Sequence, residues 1–170
     1  FDYDLPTFVH LPLLLNPDKS KLSKRQGDVA VEDFLAKGYL KEVLINYVAM
    51  LGWNPGDDRE IFSLEELIKE FSIANINKAG AVFDINKLNW YNSEYVRQII
   101  ENKDDSYKTL LNTTAEFLTN FKDRPEDVLK LFGSRVEYLA QLDEMTAFLH
   151  KLPRYETEEL VFNKSDLNKT

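Results

Sequence analysis

The sequence predicts a mainly α-helical chain that opens with a short β segment. Three observations carry that prediction. From residue 40 onward, Leu40, Val43, Leu44, Tyr47, Val48 and Leu51 recur at helical spacing and form one apolar face. Helix-start chemistry recurs with such faces, as in Ser63-Leu64-Glu65-Glu66 and Asp123-Arg124-Pro125-Glu126. Near the start the pattern differs. Phe8 to Leu15 is apolar, but Pro6 and Pro12 exclude a helix there, so the run reads as a buried or edge strand entering a loop.

The elements follow in order. Asn16-Pro17-Asp18 is turn chemistry, and a polar basic stretch follows it to Gly27. The helix with the Leu40–Leu51 face stops at Gly52, and Trp53-Asn54-Pro55-Gly56 is a loop. The capping box at Ser63 starts a short helix carrying Leu64, Leu67, Ile68 and Phe71. Asp84 caps a helix from Ile85 to Tyr91, and Ser93 caps another carrying Val96, Ile99 and Ile100. Asn102 to Ser106 is a polar break. Tyr107, Leu110, Leu111, Thr114, Leu118 and Phe121 give a long helix face, and Pro125 opens the next helix. Val136, Leu139, Leu142, Thr146 and Leu149 mark a last helix, which Pro153 ends.

Composition bounds the function. The chain has 170 residues, 44% hydrophobic and 29% charged, which is ordinary globular composition for one large domain or two small ones. Cysteine is absent, which excludes disulfides, iron–sulfur clusters and a cysteine nucleophile. His10 and His150 are the only histidines, so no metal site is expected. No apolar run is long enough to span a membrane. The first residue is Phe1, and the chain is expected to be a piece of a longer protein. The net charge is −8, with 21 Lys+Arg against 29 Asp+Glu, which disfavours a generic nucleic-acid binder but does not describe local patches.

The sharpest local signal is Lys21-Leu22-Ser23-Lys24-Arg25, followed by Gly27. From Pro17 to Gly27, Lys19, Lys21, Lys24 and Arg25 oppose Asp18 alone, so this loop is basic inside an acidic chain. Charge alone leaves two readings open: a solvated basic loop, or a cluster that neutralises a polyphosphate, with Ser23 as a hydrogen-bond donor.

Lys21-Leu22-Ser23-Lys24-Arg25 resembles the Lys-Met-Ser-Lys-Ser signature loop of class I aminoacyl-tRNA synthetases, in its glutamate-enzyme variant. The flanks extend the resemblance. They are His10-Leu11-Pro12-Leu13, Gly38-Tyr39-Leu40, Asn46-Tyr47, Leu51-Gly52-Trp53, Val82-Phe83-Asp84 and Lys87-Leu88-Asn89-Trp90-Tyr91-Asn92. On these residues the chain is similar to the bacterial glutamyl-tRNA synthetase family, continuously over residues 5–100 and more weakly to residue 155.

The resemblance implies a two-step ligase that uses ATP with Mg²⁺, glutamate and tRNA(Glu). It implies a cytoplasmic monomer without a membrane partner, and no cofactor held tightly by this chain. Lys21, Leu22, Ser23, Lys24 and Arg25 would bind the ATP phosphates, with Lys24 the principal contact and Lys24 and Lys21 catalytic. Arg25 stands where the signature has its last serine. The family's other ATP signature, His-Ile-Gly-His, is absent from these residues, as are the parts that hold the amino acid. Residues 1–102 would then be the end of a catalytic domain, with the signature loop and a helical stem-contact region. Residues 103–170 would begin an α-helical anticodon-binding domain. The glutaminyl enzyme carries β-barrels there, whose short alternating strands do not appear in this sequence.

Other candidates have two readings each. Lys87 is a candidate phosphate contact on tRNA. Arg135 is either a surface arginine opening the last helix or an anticodon contact, since a guanidinium suits base edges. Trp53, Trp90, Tyr91 and Tyr95 are core aromatics before they are base-stacking platforms. Asp84 is a cap rather than an acid, and His10 a buried histidine rather than a catalytic one. Asp57-Asp58-Arg59-Glu60 lacks the ligand ladder of a calcium loop. The rival to the ligase is a non-catalytic helical RNA-binding or protein-interaction module that retains the loop as a relic.

Overall fold

The computed structural model of the chain describes residues 4–23 and 30–151. Two short strands, β1 (Leu14–Leu15) and β2 (Ala81–Val82), pair in parallel, with Leu14 opposite Ala81 and Leu15 opposite Val82. The rest is helical: α1 (Val31–Ala36), α2 (Lys41–Gly52), α3 (Leu64–Glu70), α4 (Ile85–Asn102), α5 (Asp105–Phe117), α6 (Pro125–Phe132) and α7 (Gln141–Met145). Single 3-10 turns lie at Ile73–Asn75 and Ala147–Leu149. The mainly α expectation with a small β start therefore holds.

The helix ends follow local chemistry. Ser63 and Glu66 cap α3 reciprocally: the Ser63 hydroxyl accepts the Glu66 N–H, and the Glu66 carboxylate accepts the Ser63 N–H. Asp84 caps α4 by accepting from Asn86 and Lys87. Lys103 ends α4 at φ 49°, and Asp104 at once caps α5 by accepting the Ser106 N–H. Pro125 stands in the first turn of α6, as expected.

Four expectations about the helices change. The long face from Tyr107 is helical only to Phe117, with Leu118 as the cap of α5 and Phe121 outside it at φ 65°. Ser93 caps nothing, because α4 runs unbroken for 18 residues and the Ser93 hydroxyl donates to the Val136 carbonyl. Gly52 is the last residue of α2, and Trp53 follows as its cap. The last helix is shorter than its apolar spacing suggests. Residues 133–140 form turns that end in α7, because Leu139 and Ala140 donate their N–H groups to Gly38 and Lys37 rather than to a helix of their own.

Two main cores form on either side of α4. Phe34, Tyr39, Val43, Leu44, Tyr47, Leu88 and Tyr91 build one, and Trp53, Phe62 and Leu67 extend it beneath α3. Val96, Leu110, Leu118, Val128, Leu129, Val136, Leu139 and Leu142 build the other. Two buried amides tie loops to these cores. Asn46 accepts from the Phe62 N–H and donates to the Glu60 carbonyl. Asn92 accepts from the Leu40 N–H and donates to the Glu137 carbonyl.

Gly38 makes the joint between the two cores possible. Its φ is 84°, and a Cβ placed there would lie 2.7 Å from the Cβ of Leu139 and 3.0 Å from the Phe117 ring. Gly38→Ala combines a left-handed backbone penalty of about 1–2 kcal/mol with overpacking of about 1–3 kcal/mol. The expected loss is about 2–5 kcal/mol. Urea unfolding followed by tryptophan fluorescence measures it, and an unchanged midpoint would show that the joint can open.

Candidate functional site

Backbone geometry builds the site from β1 outward. After Leu15 the chain reverses: the Asn16 N–H donates to the Ser20 carbonyl at 2.8 Å, and the Lys19 N–H to the Asn16 carbonyl at 2.8 Å. Lys19 takes a left-handed φ of 66° to make the turn. Side chains brace it. Asn16 Nδ2 donates to Ser20 Oγ at 2.8 Å, and Asp18 Oδ1 accepts the Ser20 N–H at 2.8 Å. These bonds to Ser20 hold the Asp18 carboxyl below its ordinary value. The returning chain pairs Lys21 with Leu15, and the Leu22 N–H donates to the Leu14 carbonyl at 2.9 Å.

Lys21, Leu22 and Ser23 thus leave a small braced hairpin, Lys21 exposed and the other two half-buried. Lys24 and Arg25, the remainder of the signature run, lie outside the described residues. On the other side β1 is fixed by β2, and the Phe83 N–H donates to the Leu15 carbonyl at 2.8 Å.

The segment before β1 departs from expectation. Only Leu14 and Leu15 are strand, and His10 is exposed rather than buried. Leu5 and Phe8 are 91% and 88% exposed, and Leu11, Val31 and Leu35 are also open. Pro6 and Pro12 remove the N–H groups that a longer strand would use.

The candidate nucleic-acid residues fall in different settings. Lys87 lies in the first turn of α4, where its Nζ is 2.6 Å from Glu60 Oε1 and 5.8 Å from the centre of the Tyr91 ring. The Lys87–Glu60 pair is solvent-exposed, so it contributes about 0–1 kcal/mol and a phosphate can compete for the ammonium. Arg135 does not open a helix. It stands in the turn after α6, exposed, with its N–H donating to the Phe132 carbonyl. Among the described residues it makes no ion pair, whereas Arg97 pairs with Glu94 and Glu101, and Arg124 with Asp127. Lys87 and Arg135 are therefore not brought together with the Lys21 hairpin by any described contact.

Burial separates the aromatics. Trp53 and Tyr91 are core residues, and the Tyr95 hydroxyl donates to the Phe62 carbonyl. Trp90 is 45% exposed and meets Tyr91 edge-on at 5.2 Å, so it is the aromatic that retains an open face. Arg59 engages Asp57 and Glu70 and lies 4.8 Å from the Phe62 ring centre, which gives the acidic stretch a structural use. Among the described residues no group of His, Asp or Glu could hold a metal ion. None of their helices is long and apolar enough to cross a membrane.

Comparison with known proteins assigns this architecture. The family model of class I tRNA synthetases (E and Q), catalytic domain, matches residues 1–90. The chain belongs to the class I tRNA synthetase family. Within that class its relatives are glutamate–tRNA ligases. The ligase of Clostridium novyi (strain NT) is 43% identical over 159 residues, covering 92% of this chain and 32% of that protein. The ligase of Clostridioides difficile (strain 630) is 44% identical over 169 residues, covering 94% and 34%. The crystal structure of glutamate-tRNA synthetase from Elizabethkingia anophelis superposes with a TM-score of 0.73 at 30% identity, covering 92% of this chain and 35% of that one. The chain thus spans about a third of the length of the relatives it matches.

Three buried tyrosines and the half-buried Tyr95 give the site region a pH limit. Burial pushes Tyr39, Tyr47 and Tyr95 up to about 12, and Tyr91 higher still. Each folded value lies above the unfolded one, so their contribution is complete below about pH 10 and is lost as pH rises toward about 12. In an alkaline titration followed by tyrosinate absorbance, these four should ionise only together with loss of helical circular dichroism. Smooth ionisation of all eight with helicity intact would contradict this.

Proposed function

We propose that the protein carrying this chain is a glutamate–tRNA ligase, and that this chain supplies its ATP-phosphate loop and tRNA-facing helices. The observation that carries the reading is the Lys21-Leu22-Ser23-Lys24-Arg25 run, leaving a braced hairpin in a chain 43% identical to such ligases. In the first step a glutamate carboxylate oxygen attacks the α-phosphorus of ATP, and the bond to the β-phosphate oxygen breaks. Glutamyl-adenylate forms and pyrophosphate leaves. In the second, a terminal ribose hydroxyl of tRNA(Glu) attacks the activated carbonyl and AMP leaves.

Lys24, supported by Lys21 and Ser23, holds the negative charge that builds on the departing pyrophosphate, and Arg25 extends the positive field. An ammonium brought to that place stabilises the transition state more than the ground state. Magnesium accompanies the nucleotide; the described residues offer no cluster fit to hold it, and the charge stabilisation assigned to this chain runs through its own cations. Residues 1–102 form the end of the catalytic domain and the stem-contact region, where Lys87 meets phosphate. Residues 103–170 begin a helical anticodon-binding domain, where Arg135 is the base-reading candidate because its guanidinium is unpaired among the described residues. The working protein is a cytoplasmic monomer.

Glutamate-dependent ATP–pyrophosphate exchange tests the reading. The full-length protein should catalyse it, and this chain alone should not, since it lacks the His-Ile-Gly-His signature. Exchange by the chain alone would overturn the division of labour. In the full-length protein, Lys24→Ala should lower the adenylation rate at saturating ATP by about 10²–10³ with little change in ATP affinity. Pre-steady-state adenylate formation over a range of ATP concentrations separates the two, and a loss confined to affinity would make the loop a binding clamp.

A further inference from the structure

Strands of two residues cannot hold a register by themselves. Yet β1 and β2 decide where Lys21 leaves the sheet, because Leu15 pairs with Val82 on one side and with Lys21 on the other. Packing of β2 on the flank that faces α2 and α4 is incomplete: a cavity of about 180 Å³ lies there, bounded by Tyr47, Met50, Val82 and Tyr91 among others. Across that flank the Phe83 ring meets Tyr47, and the Tyr47 hydroxyl supplies the polar contact.

We propose that Tyr47 is a positioning residue for the Lys21-Leu22-Ser23 segment, clamping the end of β2 through both backbone polar groups of Asp84. Tyr47 is 2% exposed, and its hydroxyl donates to the Asp84 carbonyl and accepts from the Asp84 N–H, each at 2.8 Å. Asp84 follows Phe83, whose N–H holds the Leu15 carbonyl. The Phe83 ring meets the Tyr47 ring edge-on at 5.5 Å. The path from the helical body to the signature segment is therefore short. It runs from Tyr47 to Asp84, from Phe83 to Leu15, and from Leu14 to Leu22.

Burial raises the Tyr47 hydroxyl to about 12, so it stays protonated and able to donate at neutral pH. The Asp84 carboxylate caps α4 independently, through Asn86 and Lys87. Removing the Tyr47 hydroxyl should thus free β2 while leaving α4 seated. The effect on rate rests on the ligase reading; the effect on the strand does not.

The test compares Tyr47→Phe with Tyr39→Phe in the full-length protein. Tyr39 belongs to the same core, but its hydroxyl bonds Asn89 and lies off the path to β2. Tyr47→Phe should speed amide exchange at Phe83 and Leu22 about tenfold, the typical effect of one lost hydrogen bond. Exchange at Gly133, which donates to Leu129 at the end of α6, should stay unchanged. Glutamyl-adenylate formation at saturating ATP should fall about tenfold, with the KM for ATP within about twofold. Tyr39→Phe should leave all of these as they were. Unchanged exchange at Phe83 and Leu22, a uniform rise that includes Gly133, or an intact rate would each overturn the proposal. If the unaltered protein forms no adenylate, the ligase reading fails, and the exchange pattern still decides the clamp.

Discussion

The amide of Asn92 reaches two segments at once. Its oxygen accepts the N–H of Leu40, where α2 begins, and its nitrogen donates to the carbonyl of Glu137, in the turns before α7. The side chain has no exposed surface, so water cannot stand in for either partner. Leaving such a group unmet costs about 1–3 kcal/mol, which specifies this arrangement over looser ones. The neighbouring bonds follow the same line. Ser93 holds Val136, Leu139 and Ala140 hold Gly38 and Lys37, and Tyr39 stacks on Tyr138 at 5.4 Å. Two cores built from distant stretches of chain are thereby fastened along one helix.

That fastening shapes what the chain can do. The match to the catalytic-domain family ends at residue 90, inside α4, while the same helix continues into the second core through Val96, Ile99 and Ile100. The N-terminal half of α4 follows β2 in the chain and packs into the first core through Leu88 and Tyr91. Its C-terminal half joins α5 and α6. The charge pattern fits the same layout. Part of the acidic surface is engaged in local ion pairs, as in Arg59 with Asp57 and Glu70 or Lys130 with Glu126. Lys21, at the start of the basic signature run, stands exposed on its own turn.

The open apolar face before β1 has a physical counterpart in the relatives' length. Leu5, Phe8 and Leu11 expose area that an isolated globular unit would bury, and the chain spans only about a third of the ligases it matches. Val31 and Leu35 on α1 are also exposed.

Local chemistry made much of this legible from residues alone. The capping pair Ser63 and Glu66, the cap Asp84, the first-turn Pro125 and the apolar face of α2 depend on neighbours within one or two turns, and each is where the sequence places it. The signature run was legible because five adjacent residues carry it. What failed to show depends on distant partners. Ser93 has the look of a cap, but its hydroxyl is claimed by Val136, 43 residues away. Arg135 has the spacing of a helix start, but residues 139 and 140 bond to the Gly38 turn instead. Tyr47 reads as one more apolar position on α2, and only folding brings its hydroxyl to both polar groups of Asp84. Sequence alone determined the helices and the chemistry of the loop, because those follow from short-range propensity and residue type. Tertiary structure decided which buried polar groups meet, because a buried group left without water gains by finding a partner, and for Asn46, Asn92 and Tyr47 those partners lie far along the chain.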